Sequence, residues 1–160
     1  MQSQHPQIGQ IAAFIGPFQP LGWLFCDGRL MEIANRDFDM LFAVIGTKYG
    51  GDGQETFALP TLAGPIPGAR PVIAYAGTFP QPDQAPSPPV LRGFAVEWSG
   101  PLPEDYVPAT GQIYNIRDNS PLFGLLGTQF GGDNKAGTFA LPNLGGNWIL
   151  NTTGTNPLKS

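Results

Sequence analysis

The residues best suited to chemistry are two aspartates that recur in the same local motif. Asp52 stands in the run YGGDG and Asp133 in the run FGGDN. Two carboxylates can hydrolyse a glycosidic bond by acid–base catalysis, and carboxylate oxygens with turn carbonyls suit calcium. An Asx turn explains both aspartates without any chemistry, because such turns favour Asp after Gly. We therefore interpret both residues as structural.

The other candidate sites are weaker. Glu55 would add a third calcium ligand, but Gly137 replaces it in the second motif. Zinc needs clustered Cys and His, whereas Cys26 and His5 stand alone and far apart. His5 also has no evident serine partner for nucleophilic catalysis, and the glycine pairs lack the Lys-Ser/Thr of a phosphate loop. The sequence thus predicts no enzyme and no catalytic, cofactor or metal residue.

Composition narrows the class of protein further. The 160 residues include 22 Gly and 18 Pro but only 12% charged residues, which favours short strands and many turns. A net charge of −4 and eight scattered Lys and Arg indicate no nucleic-acid surface. No apolar run is long enough to span a membrane. The opening MQSQHPQIGQ lacks the features of a secretory signal peptide.

The elements around the two aspartates are duplicated. Pairing Leu41–Gly53 with Leu122–Asn134, and Thr56–Leu62 with Thr138–Leu144, gives 13 identities in 20 positions. Such agreement indicates two related units. We predict a mainly β (α+β) fold of two tandem units, each with one short helix and a Gly-rich turn.

Each unit shows the same order of local signals. An apolar stripe predicts a helix that ends at Gly46 or Gly127, with Asp39 or Asn35 capping the first helix and Ser120 the second. Short strands follow at Thr56–Leu59 and Thr138–Leu141, and a proline ends each. Further strands are predicted at Ile8–Ile15, Trp23–Cys26, Val72–Ala76, Phe94–Trp98 and Trp148–Leu150.

Asp27-Gly28 is the strongest short hairpin signal in the sequence, and it lies between Phe25-Cys26 and Arg29-Leu30. We expect a type I′ turn there. Thr110-Gly111 replaces it in the second unit. Cys26 lies in an apolar strand and is interpreted as a packed thiol. Core packing is also the preferred role of the tryptophans, over stacking on sugars.

Residues 80–89 contain five prolines and predict a polyproline II spacer. The predicted division is residues 1–79 for the first unit, 80–92 for a Pro-rich linker and 93–160 for a second, diverged unit.

Several separated blocks carry a family resemblance. The runs GQIAAFIGPFQPLGWLFCDGRLMEI, LFAVIGTKYGGDG and TFALPTLAG follow one another in the first half. Together they resemble the phage tail collar family of tail fibres and microcystin-dependent proteins. The second half keeps LFGLLGTQFGGD and TFALPNL but has lost the Trp-x-x-Cys-Asp-Gly block. The charged Leu-Arg-Gly-Arg-like segment that usually follows the LP motif is missing, since Thr61, Ala63 and Pro65 occupy that region.

The resemblance implies a structural module of a tail-like or filamentous assembly and no chemistry. Residues of the recurrent motifs are expected to have structural roles: Trp23, Cys26, Asp27, Gly28, Gly50, Gly51, Asp52, Phe57, Pro60, Gly131, Gly132, Asp133, Phe139 and Pro142.

The expected function is that of a non-enzymatic subunit of a phage tail fibre, a tail-derived machine or an extracellular filament. Its partners would be other copies of itself, as a homotrimer or a filament, and other tail proteins. Self-association would proceed by strand pairing of Ile8–Ile15 or of the C-terminal segment. The alternative is an adhesin that binds a receptor or cell-surface glycan. Either role places the protein in a virion tail or an extracellular appendage.

Overall fold

Ten short strands and two short helices make up the computed structural model, which describes residues 6–64, 68–79, 89, 91–98, 101–154 and 157. The helices are α1 (Asp39–Ile45) and α2 (Ser120–Leu126), each preceded by one 3-10 turn, Arg36–Phe38 or Arg117–Asn119. A further 3-10 turn covers Asn134–Ala136. The strands are β1 (Ile11–Phe14), β2 (Trp23–Phe25), β3 (Leu30–Glu32), β4 (Thr56–Ala58), β5 (Arg70–Ala74), β6 (Phe94–Glu97), β7 (Tyr106–Pro108), β8 (Ile113–Asn115), β9 (Thr138–Ala140) and β10 (Trp148–Asn151).

Six of the strands form one antiparallel sheet to which both halves of the chain contribute. Its order is β2-β5-β1-β6-β10-β7, so each half supplies three adjacent strands. The halves join where β1 pairs with β6, with Ala13 opposite Ala95 and Phe14 opposite Phe94. The four remaining strands form two small antiparallel pairs, β3-β4 in the first half and β8-β9 in the second.

Equivalent hydrogen bonds show that the two halves share one backbone plan. The Gly9 N–H donates to the Ala74 carbonyl at 2.8 Å, and the Gly93 N–H donates to the Asn151 carbonyl at 2.9 Å. Both glycines have positive φ, 91° and 90°. A Cβ on Gly9 would meet Val44 of α1, and one on Gly93 would meet Leu125 of α2. The predicted fold class, two similar mainly β units with one short helix each, is confirmed.

The two helices end as predicted but begin differently. Gly46 (φ 54°) and Gly127 (φ 58°) follow the last helical residues, and each N–H donates to a carbonyl of the final turn. Ser120 was expected to be the N-cap of α2, but it is the first helical residue, and Asn119 before it makes no side-chain capping bond. In the first half, Asn35 was one of the two residues expected to cap α1. It caps the 3-10 turn before α1 instead, because its side-chain oxygen accepts from the Asp37 N–H.

The large sheet has buried side chains on both faces. Along β1 and the residue after it, Ala12 and Phe14 point to one face and Ala13 and Ile15 to the other. The first face carries what we call the aromatic cluster: Phe14, Trp23, Phe94 and Tyr106. The helices and the two small strand pairs cover the second face through Leu41, Phe57 and Leu59 in the first half and Leu122, Phe139 and Leu141 in the second.

The hairpin predicted at Asp27-Gly28 is wrong. The flanking strands β2 and β3 do not pair with each other, since β2 pairs with β5 and β3 with β4. Asp27 instead forms a bridge to Thr61. The Gly28 N–H donates to the Pro60 carbonyl at 3.2 Å. Tertiary pairing therefore overrides the local turn signal, and the segment crosses from the large sheet to the small one.

The strands expected to recruit other subunits lie inside the sheet. β1, which holds most of Ile8–Ile15, pairs with β5 on one side and β6 on the other. β10, the C-terminal strand, lies between β6 and β7. Self-association by pairing of Ile8–Ile15 was therefore a wrong expectation, and β10 has no free edge for it either. The C-terminal residues after Gly154 lie, except for Pro157, outside the described residues. The polyproline II spacer predicted for residues 80–89 lies, except for Pro89, outside the described residues.

The aromatic cluster should make the halves unfold together. Phe94 is fully buried, and its ring lies 4.8 Å from that of Trp23 and 5.0 Å from that of Phe14. We expect Phe94→Ala to cost about 3–5 kcal/mol of unfolding free energy, because it opens a cavity between the halves. Urea unfolding followed by circular dichroism should keep one transition at lower midpoint. Leu102→Ala, at a half-exposed site, is the control. Two separated transitions in the unmodified protein would contradict this coupling.

Candidate functional site

The Gly-rich turns of the two units are built around a close backbone approach. A Cβ placed on Gly51 would lie 2.6 Å from the Thr56 carbonyl oxygen, and one on Gly132 would lie 2.8 Å from the Thr138 carbonyl oxygen. Both glycines have positive φ, 91° and 93°. The turn thus packs directly on the first residues of β4 or β9, and only glycine leaves room for that contact.

The preceding glycines tie the same turns to the strands by hydrogen bonds. The Gly50 carbonyl accepts from the Ala58 N–H, and the Gly131 carbonyl accepts from the Ala140 N–H, both at 3.1 Å. Their φ angles of 132° and 129° are also in the glycine-favouring region. Backbone geometry therefore accounts for the glycines at four recurrent positions, Gly50, Gly51, Gly131 and Gly132.

Asp52 closes the first turn with its carboxylate. Its Oδ1 accepts from the backbone N–H groups of Gln54, Glu55 and Thr56 at 2.9, 2.8 and 3.0 Å. These donors, led by Thr56, lower the pKa of Asp52 to about 2. A carboxylate used in this way is an acceptor for its own loop and a poor proton donor at neutral pH. The bonding is that of an Asx turn.

Asp133 has the same position in the second unit but a smaller set of bonds. Its Oδ1 accepts from the Lys135 N–H at 2.9 Å and caps the 3-10 turn Asn134–Ala136. Both aspartates also fix the next strand through threonine: the Asp52 N–H donates to Thr56 Oγ1 and the Asp133 N–H to Thr138 Oγ1. Within the described residues, no three His, Cys, Asp or Glu side chains are grouped to hold a metal ion.

The Trp-x-x-Cys-Asp-Gly block of the first unit connects the large sheet to the β3-β4 pair. Trp23 is 2% exposed and belongs to the aromatic cluster. Cys26, three residues later, is also buried, and burial, with a smaller contribution from the Asp27 charge, raises the pKa of its thiol to about 12. The thiol is therefore protonated and packed at neutral pH. Asp27 pairs with Arg29 at 3.2 Å on the surface.

The TFALP segments contain the buried residues of the two small strand pairs, β3-β4 and β8-β9. Phe57 and Phe139 are fully buried, with ring centroids 5.3 Å from Phe42 and 5.4 Å from Phe123 of the adjacent helix. Pro60 and Pro142 are also buried, and each follows the end of its strand by two residues. In both units the packing of these side chains holds the helix against the small strand pair.

One cleft in the second unit was not found from the sequence. It has a volume of about 470 Å³ and lies between β7, β8 and the residues that follow β10. Its walls are Asp105, Tyr106, Val107, Ile113, Tyr114, Asn115, Asn119, Thr152 and Thr153. The available signal was a difference between the copies, since Asn119 stands where the first copy has Phe38.

A duplicated β protein whose recurrent residues close turns and fill cores has the character of a structural module. The family model of the Phage Tail Collar Domain matches residues 9–67 and 91–149. The chain therefore belongs to the phage tail collar domain family and contains two copies of the domain. No curated protein and no solved structure matches it.

Family membership indicates a structural role in a phage tail fibre, in a family that is not typically enzymatic. It also implies a location in the virion tail. In the described part of the chain, neither helix has the length and apolar character needed to cross a bilayer.

The glycine geometry can be tested with a control from the same chain. We expect Gly51→Ala and Gly132→Ala to destabilise the protein by about 1 kcal/mol or more beyond Gly137→Ala. Gly137 also has positive φ, 77°, but a Cβ there meets nothing within 4 Å. The comparison by thermal or urea unfolding therefore isolates the close approach from the backbone conformation. Equal losses in all three variants would contradict this interpretation.

The Asp52 carboxylate should make stability fall in acid. Its pKa is lowered from 3.8 to about 2 in the folded state, so the folded protein holds the ionised form more strongly than the unfolded chain. The stabilisation is present above pH 3.8 and is lost as the pH falls towards about 2. Asp52→Asn should flatten the pH dependence of the melting temperature in that window. Parallel profiles for the two proteins would count against the turn role.

Proposed function

We propose that the protein is a non-enzymatic structural subunit of a phage tail fibre, a tail-derived machine or an extracellular filament, acting through self-assembly. The collar family supports the structural part of this proposal. Self-assembly is supported by one observation, the placement of exposed apolar side chains at equivalent positions in the two units.

Leu30 and Ile113 are the two most exposed large apolar residues among those described, at 62% and 59%. They are structural equivalents, since Leu30 is the first residue of β3 and Ile113 the first of β8, and each lies opposite an alanine, Ala58 or Ala140. Contact with another copy would remove both from water, with a gain of roughly 25 cal/mol per Å² of apolar surface buried. Because the positions are related by the duplication, one chain offers the same contact twice.

The edges of the large sheet favour contact through side chains over extension of the sheet. On β2, the Trp23 N–H donates to the Pro20 carbonyl at 3.2 Å and the Phe25 N–H to Gln19 Oε1 at 3.1 Å. On β7, the Tyr106 N–H donates to the Pro103 carbonyl at 3.2 Å, and the Pro108 carbonyl accepts from Gln112 Nε2 at 2.8 Å. Groups occupied within the chain are not available to a new strand.

The oligomer could be a homotrimer or a polymeric filament, and other tail proteins are further candidate partners. A symmetric trimer of duplicated chains would show pseudo-sixfold symmetry, whereas head-to-tail contacts that do not close would give a filament. Electron micrographs of the purified protein distinguish these forms.

Multi-angle light scattering tests the proposed contact. We expect the full chain to exceed its 17.0 kDa monomer mass at micromolar concentration. Leu30→Thr combined with Ile113→Thr should shift the population towards the monomer, because threonine preserves strand propensity while removing apolar area. Leu102→Thr, at a site 50% exposed, is the matched control and should assemble normally. A monomeric full-length protein would overturn the proposal.

A second candidate function is that of an adhesin that binds a receptor or a cell-surface carbohydrate at the tip of a tail or filament. The cleft in the second unit is the observation that favours it.

A further inference from the structure

We infer that the cleft between β7, β8 and the end of β10 is a binding site for a neutral saccharide. This inference deepens the second candidate function, on which it rests, and the cleft shares Ile113 with the proposed assembly contact. It rests on a comparison of the same position in the two units, and on the chemistry of the side chains that line the cleft.

In the first unit this position is filled by two aromatic rings. Phe38, just before α1, packs edge-on against Tyr75, which follows β5, with ring centroids 5.1 Å apart. In the second unit Asn119 occupies the position of Phe38 before α2, and Thr152 follows β10. Replacing two rings by two small polar side chains leaves the cleft of about 470 Å³.

Matching hydrogen bonds establish that Tyr75 and Thr152 are equivalent. The Tyr75 N–H donates to the Gly22 carbonyl at 2.9 Å, and the Thr152 N–H donates to the Asp105 carbonyl at 2.9 Å. The same pair of bonds shows that Asp105 stands where the first unit has Gly22. The change from Phe38 and Tyr75 to Asn119 and Thr152 therefore alters the side chains of a retained backbone.

The side chains around the opening have the chemistry that recognises sugars. Tyr114 supplies an aromatic ring, where the equivalent residue of the first unit is Met31. Asn115 contributes side-chain N–H groups and Asp105 a carboxylate oxygen, Oδ2, that have no partner among the described residues, since their bonds use Asn115 Oδ1 and Asp105 Oδ1. An aromatic side chain with donors and acceptors beside it can contact the apolar surface and the hydroxyl groups of a saccharide.

The charge of the cleft selects against acidic sugars. Asp105 is the only ionisable carboxylate among the lining residues, and they include no lysine or arginine. A sialylated, sulfated or phosphorylated sugar would meet a like charge without a cation to balance it. The expected ligand is therefore an uncharged hexose or N-acetylhexosamine oligosaccharide.

The backbone at Asp105 provides a further observation. Asp105 has φ 71° and is the one non-glycine residue with positive φ in the described part of the chain. The first unit has Gly22 there, with φ 92°, which carries no such strain. Thr153 Oγ1 donates to Asp105 Oδ1 at 2.7 Å and holds the carboxylate at the cleft. A carboxylate thus occupies a position whose conformation favours glycine, as expected where a side chain has a function.

The test uses residues of the first unit to fill the cleft of the second. The full-length protein would be applied to an array of neutral, sialylated and sulfated oligosaccharides, and the strongest neutral binder titrated by calorimetry. Asn119→Phe combined with Thr152→Tyr should abolish that binding, because these residues form the packed pair of the first unit. The melting temperature should be retained. Binding that survives the filled cleft, or an array on which no neutral glycan binds, would overturn the inference.

Two further variants separate the site from folding and from assembly. Asp105→Gly should weaken the binding about tenfold, since a charged acceptor is lost, while the melting temperature stays equal or rises because the strain is relieved. Leu30→Thr, outside the cleft, should leave the affinity unchanged whether or not it alters the mass in light scattering. A preference for sialylated or sulfated glycans, or unchanged affinity in Asp105→Gly, would contradict the proposed recognition.

Discussion

The pairing of β1 with β6 is the constraint on which the rest of the molecule depends. It joins two three-stranded halves into one sheet and brings Phe94 of the second half against Trp23 and Phe14 of the first. A three-stranded sheet with one short helix buries little surface by itself, and small domains are marginal for this reason. The shared aromatic cluster gives both halves a common core. The duplication is therefore part of how the chain attains stability.

Local signals predicted the elements whose causes lie within a few residues. The apolar stripe and terminal glycine marked each helix, and the GGD turn with TFALP marked each Gly-rich turn and its strand. The hairpin predicted from Asp27-Gly28 does not form, because β2 pairs with β5 and β3 pairs with β4. The interior position of β1 was missed for a related reason. A buried apolar strand has the same sequence pattern whether the strand that pairs with it belongs to another chain or, like Phe94 opposite Phe14, lies 80 residues later in the same chain.

The turn roles of Asp52 and Gly51 could be predicted because they depend only on backbone groups a few residues away. Asp52 accepts three N–H groups of its own loop, and Gly51 leaves room for the strand. The cleft was not foreseeable in the same way. Its origin lies in Thr152 and Tyr75, which stand in diverged parts of the two copies, so their equivalence appears only through the hydrogen bonds to Asp105 and Gly22.

Duplication also explains how a structural domain can acquire a recognition surface without losing its fold. The aromatic cluster and the turns are maintained in both halves, so a change in one half is tolerated while the common core remains. In the first unit Phe38 and Tyr75 fill their site and contribute apolar packing. In the second, Asn119 and Thr152 give up that packing, and Asp105 accepts a strained backbone conformation. The lost packing and the strained conformation both lower stability, and both occur at the cleft of the second unit. Selection for folding alone would favour the residues of the first unit at these positions.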